Sequence, residues 1–141
     1  SVGVNLLVAL AERAAAVLGD DYDVEIVEAH HRRKADAPSG TALALGEAVA
    51  RGRGVNLADV RIDGRSGRPG ERPRGEIAFH ALRGGDIVGE HQVMLIGERE
   101  RVTLGHAAQD RALFAEGALR AARWIAGKAP GTYTMRDVLG L

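Results

Sequence analysis

The chain has 141 residues, 19 basic and 19 acidic side chains, and a formal charge of zero. That is enough for one domain with a real core, and it leaves no net field to gather nucleic acid or an anionic membrane. Aromatics are only 4% and cysteine is absent, which argues against a base-stacking surface, excludes disulfides and thiolate metal sites, and fits a cytoplasmic setting.

Ser1-Val2-Gly3-Val4-Asn5 has no initiator Met, no basic n-region and no signal-peptide core, so it reads as a cut inside a longer polypeptide. No apolar run reads as long enough for a membrane span. From Asn5 to Leu18, the apolar residues Leu6, Leu7, Leu10, Ala14, Val17 and Leu18 recur at helical spacing. Asn5 is the expected N-cap and Gly19 the stop. The period then changes. Val24 and Ile26 alternate with charged neighbours, and a strand is predicted over Asp23 to Ala29.

A charged loop follows, containing His30, His31, Arg32, Arg33 and Lys34, and it ends at Pro38. Ser39 and Thr41 are both acceptable caps for a helix over Thr41 to Arg51. Residues 52–75 are rich in glycine, proline and charge. They read as a long loop with solvated arginines, or else as a segment that packs on a neighbouring subunit.

Three strands are predicted next: Ile77 to Ala81, Asp86 to Ile96, and Arg101 to His106. Gly84-Gly85 and Gly97-Glu98 are short enough for hairpin turns, which makes an antiparallel meander the simplest topology. Asp110 caps a last helix, with Leu113, Phe114, Gly117, Ala121, Trp124 and Ile125 along one stripe and Gly127 at its end. The apolar tail from Tyr133 to Leu141 is expected to reach towards another domain or subunit.

The fold class is α+β: a mixed, largely antiparallel sheet of four or more strands with helices on one face. The other face, expected to carry His80, Leu82, Val93 and Leu95, suits packing against another copy.

The chemistry concentrates between Glu28 and Thr41. His30 and His31 follow a strand, so their rings point to opposite sides, and imidazole can give or take a proton near neutrality. Lys34 can donate a proton or fix a carboxylate. Ser39-Gly40-Thr41 opens a helix whose free N–H groups bind anions, with Gly40 allowing close approach; it is no Walker loop. Each feature also has a plainer reading: surface or core histidines, a basic turn, a helix cap. Asp36 reads as a structural partner for Arg32, Arg33 or Lys34. No metal site is expected, because adjacent histidines do not share one ion easily and His80, His91 and His106 fall on separate strands.

Together Glu28, His30, His31, Lys34, Asp36, Pro38, Ser39, Gly40 and Thr41 resemble the signature of dihydrodipicolinate reductases. The likeness continues through Gly70-Glu71-Arg72, Arg83 to His91, Phe114 to Ala118 and Met135 to Leu139, and covers essentially the whole chain. It implies the C-terminal, substrate-binding and oligomerisation domain (residues 1–141) of a lysine-pathway enzyme that reduces 4-hydroxy-tetrahydrodipicolinate with NADPH or NADH. It implies His30 as catalytic proton donor or acceptor and Lys34 as a proton donor. His31, Gly40 and Thr41 would bind substrate carboxylates. It further implies a homotetramer joined through these sheets.

The family's N-terminal nucleotide fingerprint has no counterpart here, since no Gly-x-Gly-x-x-Gly follows a strand. The cofactor would then sit mainly on a domain outside this chain, and the chain alone is expected to turn over little. The competing reading is a non-catalytic assembly or dicarboxylate-binding module. A hydrolase using His30 or His31 as base lacks a clear nucleophile.

Overall fold

The computed structural model describes residues 1–141 and contains a five-stranded sheet. In spatial order the strands are β2 (Arg61–Asp63), β3 (Ile77–Arg83), β1 (Asp23–His30), β4 (Gly89–Ile96) and β5 (Arg101–Ala108). β1 lies in the middle, paired on both edges, and its inward residues Val24 and Ile26 are wholly buried. It runs parallel to β3, with Val24 opposite Ile77, and antiparallel to β4, with Val24 opposite Leu95. β2–β3 is parallel and β4–β5 antiparallel. The mixed α+β sheet is therefore present, its ladders evenly divided between the two senses.

The expected meander does not form, because β3 and β4 are not neighbours. Gly84-Gly85 turns across the end of β1 instead: the Gly84 N–H donates to the His30 carbonyl at 3.0 Å, and the Arg32 N–H donates to that of Gly85 at 3.2 Å. Gly97 does close the β4–β5 hairpin, its N–H donating to Glu100 O at 2.9 Å.

α1 (Val2–Leu18) and α2 (Gly40–Arg53) pack on one face of the sheet. α1 begins earlier than expected. Ser1 is its cap, accepting from the Val4 N–H at 3.3 Å, while Asn5 lies inside the helix. Leu7, Ala11 and Ala15 form its buried stripe, and Leu45 and Val49 fill the space between α2 and the sheet. Gly52 lets the helices touch, since a Cβ there would overlap the backbone of Glu12.

Contrary to the sequence reading, the segment from Val2 to Asp21 is long and apolar enough, by length and composition, to cross a membrane. The stripe Leu7, Ala11 and Ala15 is packed in the core, and mid-helix Glu12 pairs with Arg51 and Arg136 at 3.2 and 3.0 Å. One stripe of the helix thus packs in the core, while Leu6, Leu10 and Val17 on its other side remain exposed.

Two further corrections concern the sheet faces. Val93 and Leu95 are wholly buried on the helix side. The open face carries Val27, Ala29, His80, Leu82, Gln92 and Met94, because side chains alternate from the register above. The arginines of residues 64–76 are not all solvated. Arg65 and Arg72 both bond the Glu25 carboxylate of β1, at 3.0 and 2.9 Å, and His80 Nε2 lies 2.6 Å from it. A short helix, α3 (Leu57–Val60), and β2 also interrupt the predicted loop.

The last helix, α4 (Ala112–Ile125), has Arg111 and not the expected Asp110 at its cap position; Asp110, two residues before the helix, accepts from the Ala112 N–H at 2.7 Å. The tail folds back on its own chain. α5 (Met135–Leu139) is fixed by a capping box between Thr134 and Asp137, and Tyr133 meets Trp124 edge-on.

Candidate active site at the end of β1

Val24, Ile26 and Glu28 point the same way from β1, so the third of them brings a carboxylate to the rim of the core, 1% exposed. A buried charge persists only when paired and hydrogen-bonded. Glu28 has four such contacts, from three residues. Oε1 accepts from the Ser39 N–H at 3.0 Å and from Arg83 Nη2 at 2.7 Å. Oε2 accepts from Arg83 Nη1 at 2.8 Å and lies 2.6 Å from His30 Nδ1. Burial by itself would raise this carboxyl. The bonds from Arg83, His30 and Ser39 outweigh burial and hold it below the usual carboxylate range.

His30, the last residue of β1, stands with its ring edge-on to His91, centroids 5.1 Å apart. Its Nε2 has no partner in the chain, is not among the buried orphaned atoms, and lies over Gly89, where a Cβ would come within 3.1 Å. Glycine at that position makes room for the ring.

Ser39 caps α2. Its Oγ accepts from the Ala42 N–H at 3.2 Å and lies 2.9 Å from His91 Nε2. Burial first, and then the neighbouring His30, push the His91 imidazole down to about 4, so it is neutral at pH 7. The next two amides of α2, those of Gly40 and Thr41, precede the first intrahelical donors and have no partner in the chain. Gly40 is exposed and Thr41 half-buried.

Lys34 lies in the loop between His30 and Ser39. Its Nζ donates to both oxygens of Asp36, at 2.8 and 2.9 Å, as the expected salt bridge for Asp36. Arg83 also bonds the Asp36 carbonyl at 2.7 Å, tying this loop to β3. His31 is half-buried and its Nδ1 has no partner. Arg33 pairs with exposed Asp86.

His30, Gly40 and Thr41 are thus held at one end of the sheet through the Glu28 carboxylate, and Lys34 and His31 lie in the loop between them. Gly40 is exposed and the other four are only partly buried, so the group forms a ledge open to solvent. Chemically, the ledge offers two free backbone donors, a lysine and an imidazole with one free nitrogen. That set suits a small anion next to a proton donor.

Glu28, Arg83 and His91 were not read as site residues from the sequence. The period offered a signal: Glu28 continues the inward face of Val24 and Ile26, and Arg83 continues that of Ile77 and Phe79. A charge in register with core residues requires a partner of opposite sign. Replacing Ser39 by alanine should lower stability by about 2–4 kcal/mol, because the cap is lost and His91 Nε2 is left buried without its partner. Urea unfolding measures this, and a loss under about 1 kcal/mol would mean the Ser39–His91 bond contributes little.

Comparison with known proteins gives a consistent result. Residues 3–139 match the family described as dihydrodipicolinate reductase, C-terminus. Over all 141 residues the chain is 64% identical to the 4-hydroxy-tetrahydrodipicolinate reductase of Dinoroseobacter shibae and 62% identical to that of Ruegeria pomeroyi, covering 52% of each. A dipicolinate-bound dihydrodipicolinate reductase from Paenisporosarcina sp. TG-14 superposes with a TM-score of 0.73 at 27% identity, covering 97% of this chain and 51% of that one. The chain spans about half the length of the curated relatives it matches.

Proposed function

This chain belongs to the family of dihydrodipicolinate reductase C-terminal domains, and from that membership we propose that it is the substrate-binding and oligomerisation half of a 4-hydroxy-tetrahydrodipicolinate reductase. The observation that carries this reading is the Glu28 carboxylate, which holds a histidine and the open end of a helix in one assembly. The dicarboxylate in the structural relative supports the substrate class.

In this reading the Gly40 and Thr41 amides, the Thr41 hydroxyl and His31 receive the substrate carboxylates. Lys34 leaves Asp36 to meet the incoming anion, exchanging one carboxylate for another. Lys34 donates the proton needed as the ring is reduced and water departs, and His30 takes up and passes on a proton. His30 serves through Nε2, the nitrogen with no partner in the chain.

A nicotinamide cofactor supplies the hydride in such a reductase. The residues here do not fit its seat: the passage from β1 to α2 is a charged loop containing Lys34 and Asp36, not a tight glycine-rich turn. We assign that seat, and with it the choice between NADH and NADPH, to the remainder of the protein. The open sheet face around Val27, Ala29, Leu82 and Met94 is the surface we assign to self-association as a homotetramer, in the cytoplasm, within lysine biosynthesis. The second reading, a dicarboxylate-binding module without catalysis, is favoured by the missing nucleotide seat alone.

Calorimetric titration with pyridine-2,6-dicarboxylate tests the proposal. Saturable binding is expected, weakened about tenfold or more in Lys34→Ala and Thr41→Ala, since each charge-assisted bond is worth on the order of 1.5–3 kcal/mol. Binding unaffected by either substitution would move the site elsewhere. Steady reduction of substrate by this chain alone would overturn the assignment of the cofactor seat.

A further inference from the structure

We propose that Glu28 is the positioning residue for His30. The carboxylate, held in place by Arg83, fixes the His30 proton on Nδ1 and so leaves Nε2, which has no partner in the chain, as the nitrogen that takes up and passes on a proton. This rests on the role given to His30 above.

Three observations lead here. The contact between Glu28 Oε2 and His30 Nδ1 is 2.6 Å, and its only sensible form at neutral pH is Nδ1–H donating to a carboxylate. Arg83 bonds both Glu28 oxygens, at 2.7 and 2.8 Å, so the carboxylate cannot rotate away from the ring. The other ring nitrogen has no partner and keeps access to solvent, whereas His91 presents its Nε2 to Ser39 instead. A carboxylate behind an imidazole sets its tautomer and steadies the imidazolium that forms when Nε2 is protonated. Because Oε1 of the same carboxylate holds the Ser39 N–H, the proton donor and the helix end that receives the anion are also kept in register.

Glu28→Gln is the informative variant. The amide carbonyl can keep the Ser39 N–H, but the amide NH₂ then faces His30 Nδ1 and favours the tautomer with its proton on Nε2. In a serine protease the comparable carboxylate-to-amide change leaves the geometry intact and lowers turnover about 10⁴-fold through the wrong tautomer.

The experiment is long-range ¹H–¹⁵N correlation of the imidazoles at pH 8, with His30 assigned by a His30→Gln variant. The chain should show the Nδ1–H form at His30, and Glu28→Gln should shift it to the Nε2–H form. Nε2–H in the unsubstituted chain overturns the proposal without need of any variant. So does an Nδ1–H form that persists in a folded Glu28→Gln chain. Dicarboxylate titration of the same samples reports separately on the substrate reading: absence of binding with the expected tautomers would reject that reading and leave the positioning role standing.

Discussion

Replacing Arg83 with methionine should destabilise the chain by about 3–5 kcal/mol at pH 7, the size expected when one partner of a buried ion pair is removed. Glu28 would then keep only the Ser39 N–H and His30 around a carboxylate that is 1% exposed. The pH dependence gives the sharper test. In the unsubstituted chain, the Glu28 carboxyl is held below its ordinary value. Its contribution is present above the unfolded value of about 4.3 and is lost as pH falls through the folded one. Without Arg83, burial dominates and the group resists ionisation, so the variant is penalised at neutral pH and relieved by protonation. The difference between the two proteins should therefore shrink as pH falls towards 4. A difference that stays constant across that range would mean Arg83 acts through packing and not through charge.

The second large effect belongs to His91. Its imidazole is pushed down to about 4, chiefly by burial and then by His30, with smaller contributions of the same sign from His106 and Lys34 and an opposing one from Glu28. The unfolded chain binds this proton near pH 6.5, before the folded chain does. The stability present above pH 6.5 should therefore fall as pH drops towards 4, by up to about 1.4 kcal/mol per pH unit. His91→Gln keeps a polar group near Ser39 without titrating, so its stability should be flatter across this window. Equal slopes in the two proteins would show that His91 is not the group responsible. Glu28 does not confound the result, since its own loss begins only near and below its unfolded value.

Local elements were readable wherever local rules decide them. The apolar period marked α1 apart from its start, Ser39, one of the two caps offered, opens α2, and Gly97 marked a true hairpin. What could not be read was decided by partners distant in sequence. Gly84-Gly85 has the chemistry of a hairpin turn, yet its amide and carbonyl are satisfied by the end of β1, which lies between the two strands it joins. Once β1 takes that place, Val93 and Leu95 fall opposite Ile26 and Val24 and face the core, so the open sheet face differs from the one expected. Arg65 and Arg72 looked solvated because nothing in the local sequence discloses Glu25 beneath them.

The site was legible as a list of groups near the end of a strand, and His30, Lys34, Gly40 and Thr41 do lie there. Its foundation was less visible. Arg83 is 55 residues from Glu28, and His91 is 52 from Ser39. Motif reading favours residues close together in the chain, whereas a buried carboxylate is stabilised by whichever donors the tertiary fold delivers.

The central position of β1 also governs when the molecule can take shape. Its neighbours, β3 and β4, begin at Ile77 and Gly89, so during synthesis β1 emerges from the ribosome long before either edge can be paired. β4 and β5 pair as a local hairpin, but they are the last strands to emerge. Every ladder involving β1 requires a large loop to close first, which slows folding. A nascent chain stalled before residue 77 would expose Val24 and Ile26 on an unpaired strand, a form prone to association with other chains.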